Sequence, residues 1–148
     1  VFLFSNLFLN AQVPSLSIGK VGVCNTSSVL VPLTGTNLYN IGSMTLFINF
    51  NDTNLSFSSV ENIDPQLNGL FVNLLSSPPR IAIVWSNVNG VQFQDNTLMN
   101  LKFNVLQQAG NLGFGAGCEI ANVSLQIIPV NYIGGSVYPA MPVISVID

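Results

Sequence analysis

The run from Ser43 to Phe50 constrains the fold of this chain more than any other feature. Met44, Leu46, Ile48 and Phe50 fall on one face, and Ser43, Thr45, Phe47 and Asn49 on the other. This is the period-2 pattern of a strand with one side buried. Phe47 alone breaks the alternation, and Asn51-Asp52 ends the run. Further strands are expected at Val29 to Leu33, Leu55 to Val60, Leu70 to Leu74, Arg80 to Trp85, Gly90 to Phe93, Leu98 to Val105, Leu112 to Phe114, Val123 to Val130 and Val137 to Tyr138. Each is bounded nearby by Gly, Pro, Asn, Asp or Ser, the residues that end strands and make turns. No stretch shows a sustained apolar stripe at helical spacing, and Ala, Glu, Lys and Arg are scarce, so little helix is expected. Many short strands with regular turn signals mean an all-β sandwich or barrel.

The length of 148 residues suits one domain, and no internal repeat or interior linker divides it. The body is expected over residues 13–139, with an apolar N-terminal segment, 1–12, and an apolar C-terminal strand, 140–148. Only 6% of the residues are charged, against about a quarter in an average soluble domain. The three bases, Lys20, Arg80 and Lys102, are scattered singly, so no patch could neutralise a row of phosphates or an anionic membrane surface. Nucleic acid is thereby a poor partner. No apolar run reaches the roughly 20 residues that a helical membrane span needs. A surface so poor in charge is prone to association, and it suits a subunit whose faces are covered by other protein.

The chain has no histidine, which removes the commonest general base, the usual catalytic triads and most catalytic zinc sites. Glu61 with Asp64, or Asp95 with Glu119, could in principle serve as a glycosidase carboxylate pair. Asp64 before Pro65 and Asp95 beside Asn96 read more simply as turn residues. No enzyme activity and no cofactor are expected. Asn51, Asp52 and Asn54 form the densest oxygen-rich group and could be weighed as a calcium site, but a turn cap accounts for them better. Trp85, Tyr39, Tyr132 and Tyr138 could build a sugar-stacking platform; core or rim packing is the commoner role of a Trp ending an apolar strand. Sequons begin at Asn25, Asn51, Asn54 and Asn122, of which Asn54, in a turn, is the expected site if the source modifies Asn.

Cys24 and Cys118 are the only cysteines, without the spacing of a zinc or redox motif. They are either two buried thiols or one disulfide closing most of the chain. The disulfide is the favoured expectation, because the Asn/Ser/Thr-rich composition looks extracellular and oxidising compartments preserve such bonds. A loop of that length would gain about 4 kcal/mol in the chain-entropy account.

Three stretches carry a resemblance to a known family. Val29-Leu30-Val31-Pro32-Leu33-Thr34, then Ile41 to Phe50, Asn51-Asp52 and Leu55-Ser56-Phe57, resemble the opening of cohesin domains. Ile81 to Trp85, Gly90-Val91, Asp95 to Leu98 and Leu101 to Val105 resemble the later cohesin half, in which a Trp-containing strand and a turn lead into a Leu-x-x-Leu-x-Phe strand. Cys118-Glu119 followed by Tyr132 to Val137 is similar to cohesin-like domains of large secreted Bacteroidetes surface proteins. The resemblance implies a jelly-roll β-sandwich of about nine strands, located outside the cell or on its surface, that binds protein without catalysis. Cellulosomal cohesins hold dockerins on one sheet face. Asn51-Asp52-Thr53 stands here in place of the family's Tyr-Asp-Pro turn.

The N-terminal segment resembles the apolar core and exit of a bacterial secretory signal peptide, with Asn10-Ala11-Gln12 as the exit. Taken as a strand, it sets Phe2, Phe4 and Phe8 on one side and Val1, Leu3, Leu7 and Leu9 on the other, as an interior strand would. The leading expectation is therefore a structural or adhesive surface subunit that donates this strand to a copy of itself and grows a filament. The alternative is a monomeric cohesin-like module that binds a dockerin-type protein, and a carbohydrate-binding module ranks behind both.

Overall fold

The computed structural model describes residues 12–24, 27–107 and 109–140. They form twelve strands: β1 (Ser15–Ile18), β2 (Lys20–Val23), β3 (Ser28–Thr36), β4 (Leu38–Phe50), β5 (Leu55–Glu61), β6 (Phe71–Ser76), β7 (Pro79–Phe93), β8 (Asn96–Val105), β9 (Gly110–Phe114), β10 (Glu119–Asn122), β11 (Asn131–Ile133) and β12 (Gly135–Pro139). The one helical element described is a single 3-10 turn, Pro65–Leu67, capped by Asp64, whose carboxylate accepts the Gln66 N–H at 2.9 Å.

Two sheets pack face to face. One has the order β11-β1-β3-β8-β5; the other runs β2-β12-β9-β4-β7-β6, with β10 also beside β4. The twelve strands reduce to the expected nine once three interruptions are bridged. β1 runs into β2 at Gly19, and β11 into β12 at Gly134, each pair passing from the first sheet to the second. β9 and β10 are both partners of β4, separated by the turn at 115–118. The first and last of these long strands run parallel on both sides of the corner, Ser17 beside Ile133 and Val21 beside Val137. A two-sheet sandwich is thus what the alternation and turn signals specify.

The inner face is the one the alternation selects. Met44, Leu46 and Ile48 are fully buried and lie beside Trp85, Ile83 and Ile81 of β7 in the same sheet. Across the sandwich Phe50 meets Phe103 of β8 edge-on, with ring centroids 5.4 Å apart, and Phe57 meets the same ring at 5.7 Å. Among the described residues no polar or charged residue is buried, so the core rests on apolar burial alone.

The strand expected at Val123 to Val130 does not form. The Asn122 side-chain oxygen accepts the N–H groups of Ser124 at 2.9 Å and Gln126 at 3.0 Å, folding the chain on itself as Asx turns do. Leu125 is held at φ 62° and Ile127 keeps a single bridge to Ala121. The segments expected at Arg80 to Trp85 and Gly90 to Phe93 are one strand, β7, because irregular register against β4 lets pairing continue past Ser86.

Candidate protein-binding face

The two sheets present chemically different faces to solvent. On the first, the outward positions of β3, β8, β5 and β1 carry mostly hydroxyls and amides. Asn104 stands between Ser28 and Ser56, Asn100 between Pro32 and Glu61, and Ser15 and Ser17 face Thr36 and Thr34. Lys102 and Glu61 form an ion pair there at 3.1 Å, both partly exposed, which contributes little to stability. Such a surface is well satisfied by water.

The second sheet is different. Its pairing sets three rows across β4, β7 and β6: Thr45, Val84 and Phe71; Phe47, Ala82 and Asn73; Asn49, Arg80 and Leu75. Phe71 is 61% exposed and Val84 44%. The Arg80 guanidinium lies over the Phe47 ring, 4.9 Å from its centroid, a cation-π contact that holds both side chains flat against the sheet. Phe47, the residue that breaks the alternation of β4, is where the apolar patch begins. Past Ser43 and Ser86 the face continues into a depression of about 440 Å³ whose lining includes Val88, Val123 and Leu125. Val88 is 90% exposed and Leu125 84%. Clusters of this kind, apolar and rimmed by polar groups, mark surfaces that meet other protein.

The residues singled out from the sequence are dispersed. Asp64 caps the 3-10 turn, Glu61 pairs with Lys102, and Asp95, at φ 53°, accepts the Thr36 hydroxyl at 2.9 Å. Those three carboxylates thus each accept from a different group, and Glu119 of β10 sits apart from them, opposite Thr45. Asn51 turns the β4–β5 connection, its side-chain oxygen accepting from the Thr53 N–H at 3.0 Å and hydroxyl at 2.7 Å. Asn54 is half-buried, its side-chain oxygen facing the Thr53 hydroxyl and its carbonyl accepting from Leu106 and Gln107. Trp85 is core; its indole N–H donates to the Asn68 carbonyl at 3.1 Å and ties down the segment ahead of β6. Tyr132 packs on Phe114 at 5.2 Å, while Tyr39 accepts from Gln94 at the far end of β4. Tyr138 is on β12 beside Gly22 at the β2 edge, so the four aromatics make no shared platform. Burial, with Cys118 and Glu119 nearby, pushes the Tyr132 hydroxyl up to about 12.

The expected disulfide is not formed: both cysteines are free thiols. Val23, next to Cys24, pairs with Pro139 of β12, which places Cys24 beyond the Gly110 end of β9. Cys118 follows the other end of β9 and its sulfur faces the Phe47 backbone, accepting the N–H at 3.3 Å. The length of β9 alone, about 14 Å, exceeds the roughly 7 Å between Cα atoms that a disulfide tolerates. Burial raises the Cys118 thiol above its ordinary value, disfavouring the reactive thiolate. A thiol reagent on the native protein is therefore expected to label exposed Cys24 rapidly and Cys118 only on unfolding. Mass spectrometry without reduction checks both points, and a bridged pair would contradict the geometry. The donor-strand residues Val1, Phe2, Leu3, Phe4, Leu7, Phe8 and Leu9 lie outside the described residues.

No family model matches this sequence, and no curated protein does. Solved structures do match. A non-cellulosomal cohesin from the archaeon Archaeoglobus fulgidus is 20% identical with a TM-score of 0.70, over 84% of this chain and 89% of its own. The sixth cohesin of scaffoldin B from Acetivibrio cellulolyticus, solved with a Cel5 dockerin, is 17% identical with a TM-score of 0.75, over 87% of this chain and all of its own. The seventh ScaB type I cohesin of Pseudobacteroides cellulosolvens gives 16% and 0.72, over 92% and 99%. The fold of this chain is the cohesin jelly roll. At these identities the likeness establishes architecture, and function is a separate question. Among the described residues no helix is long and apolar enough to cross a membrane.

Proposed function

We propose that this chain is a secreted or cell-surface protein-binding module, without catalysis, that holds a dockerin-type protein on the outer face of β4, β7 and β6. The carrying observation is the asymmetry of the two outer faces: Phe47, Phe71, Ala82 and Val84 cluster on one, whereas the other carries mostly Ser, Thr and Asn, with Leu30 and Ile133 standing singly on separate strands. The presence of dockerin in several of the matched cohesin structures supports the same reading. Growth of a filament by strand donation would draw on residues 1–11, which lie outside the described part.

Val84 stands at the centre of the top row, between Thr45 and Phe71. Val84→Asp would leave an unpaired carboxylate beneath an apolar partner and is expected to weaken binding at least tenfold, about 1.4 kcal/mol or more. The residue is 44% exposed, so folding should lose only strand propensity, about 1 kcal/mol, and Tm should fall by only about 2 to 4 °C. Calorimetric titration with dockerin modules encoded in the same genome tests this. Absence of binding by all of them, or equal binding by the variant, would remove the proposal.

A further inference from the structure

Among the described residues the two strand orders end in four edge strands, and three of them carry features that stop a strand from adding. β5 has a bulge between Phe57 and Ser59 and ends in Glu61. β2 is four residues long and begins with Lys20, and β11 is three residues long. Short, bulged or charged edges are the ordinary protection against edge-to-edge pairing. β6 has none of these. It is six residues of uniform pairing to β7, with no charge, no proline and no bulge, and it exposes Phe71 at 61% and Leu74 at 49%. Among the described residues its only strand partner is β7.

We infer that the β6 edge pairs antiparallel with β6 of a second copy, joining two sheets across a two-fold axis at Asn73. The sequence of β6 is self-complementary in that register. Outer-face residues Phe71, Asn73 and Leu75 would meet Leu75, Asn73 and Phe71 of the copy, while inner-face Val72 and Leu74 would meet each other. Every cross-strand pair then joins apolar to apolar or amide to amide, the kinds that stabilise a ladder. Shifting the register by one residue would set outer-face residues against inner-face ones, which the pleat forbids. The absence of charge on β6 means that two copies meet there without like-charge repulsion, although each chain carries a net charge of −3. An isologous contact of this kind closes at two subunits instead of growing a fibre. One strand pair makes a small interface and hence a weak dimer.

The test places cysteines in a Cys24→Ser background. In the inferred register the two Asn73 Cα atoms lie about 4.5 to 5.5 Å apart, within disulfide reach, so Asn73→Cys should form a covalent dimer under mild oxidation. The two Leu75 positions lie about 14 Å apart in the same register, so Leu75→Cys should not. Without the cysteine, the chain should sediment at rising concentration toward about twice its 15.8 kDa, and Asn73→Lys should return it to monomer with an unchanged melt. Equal cross-linking of both cysteine variants overturns the register. Failure of Asn73→Cys to cross-link, including because residues 1–11 cover the edge, overturns the dimer, as does a dimer that survives Asn73→Lys.

Discussion

Ile48→Asp is expected to yield no folded protein. Ile48 is fully buried on the inner face of β4, flanked by Ile81 of β7 and Phe114 of β9. Since the described core contains no buried polar residue, a carboxylate there would have no side-chain donor to meet it. An isolated charge in such a site costs several kcal/mol even after its pKa shifts to neutralise it, and the loss of the aliphatic side chain adds a cavity term of about 2 to 5 kcal/mol. Together these approach or exceed the 5 to 15 kcal/mol by which a domain is ordinarily stable. Ile48→Val, which only trims a methylene, is expected to cost about 1 kcal/mol and stay folded. Circular dichroism with thermal melts of the two variants is sufficient. A cooperative melt from Ile48→Asp would mean that the Phe47 side of β4, and not the Ile48 side, faces the core.

What could be read from the sequence was whatever depended on residues close together in it. The alternation in Ser43 to Phe50 gave the buried face of β4 correctly because period 2 is a local property. Trp85 was legible as core for the same reason. The corners were not: of the strands that meet there only β12 was expected, at Val137 to Tyr138, while β1, β2 and β11 are three or four residues each and exist because two distant parts of the chain run parallel, a pairing that leaves no local mark. The apolar run from Val123 to Val130 misled because strand propensity yields to a single Asn122 side chain that captures two backbone N–H groups. The disulfide expectation failed on geometry that only register supplies, with β9 standing between Cys24 and Cys118. The candidate face was half legible. Phe47 announced itself by breaking the pattern, whereas Phe71 and Val84 become neighbours only through the β6–β7 pairing.

Gly135→Ala is expected to be the most damaging single methyl addition among the glycines. β1–β2 and β11–β12 leave the first sheet and enter the second at one corner, with the Ser136 N–H donating to the Gly19 carbonyl at 3.2 Å. A Cβ on Gly135 would collide with the carbonyl groups of Ile18 and Gly19. Neither strand can step aside freely. β12 is pinned on its other side by β9, with Gly135 opposite Leu112, and β1 is pinned by β3, with Ile18 opposite Leu33. Relief must therefore break ladder hydrogen bonds or open the corner, and the cost should reach about 3 kcal/mol, the upper part of the range for overpacking. For a domain of this size that lowers Tm by about 6 to 12 °C. Gly113→Ala is the matched control: nothing lies within 4 Å of a Cβ there, so only the backbone preference changes, an effect of about 1 kcal/mol or less. Calorimetric melts of both variants decide the matter. If Gly135→Ala melts with the parent protein, the two strands do not cross the corner in backbone contact, and the parallel pairing that closes the sandwich at its ends is not the constraint described.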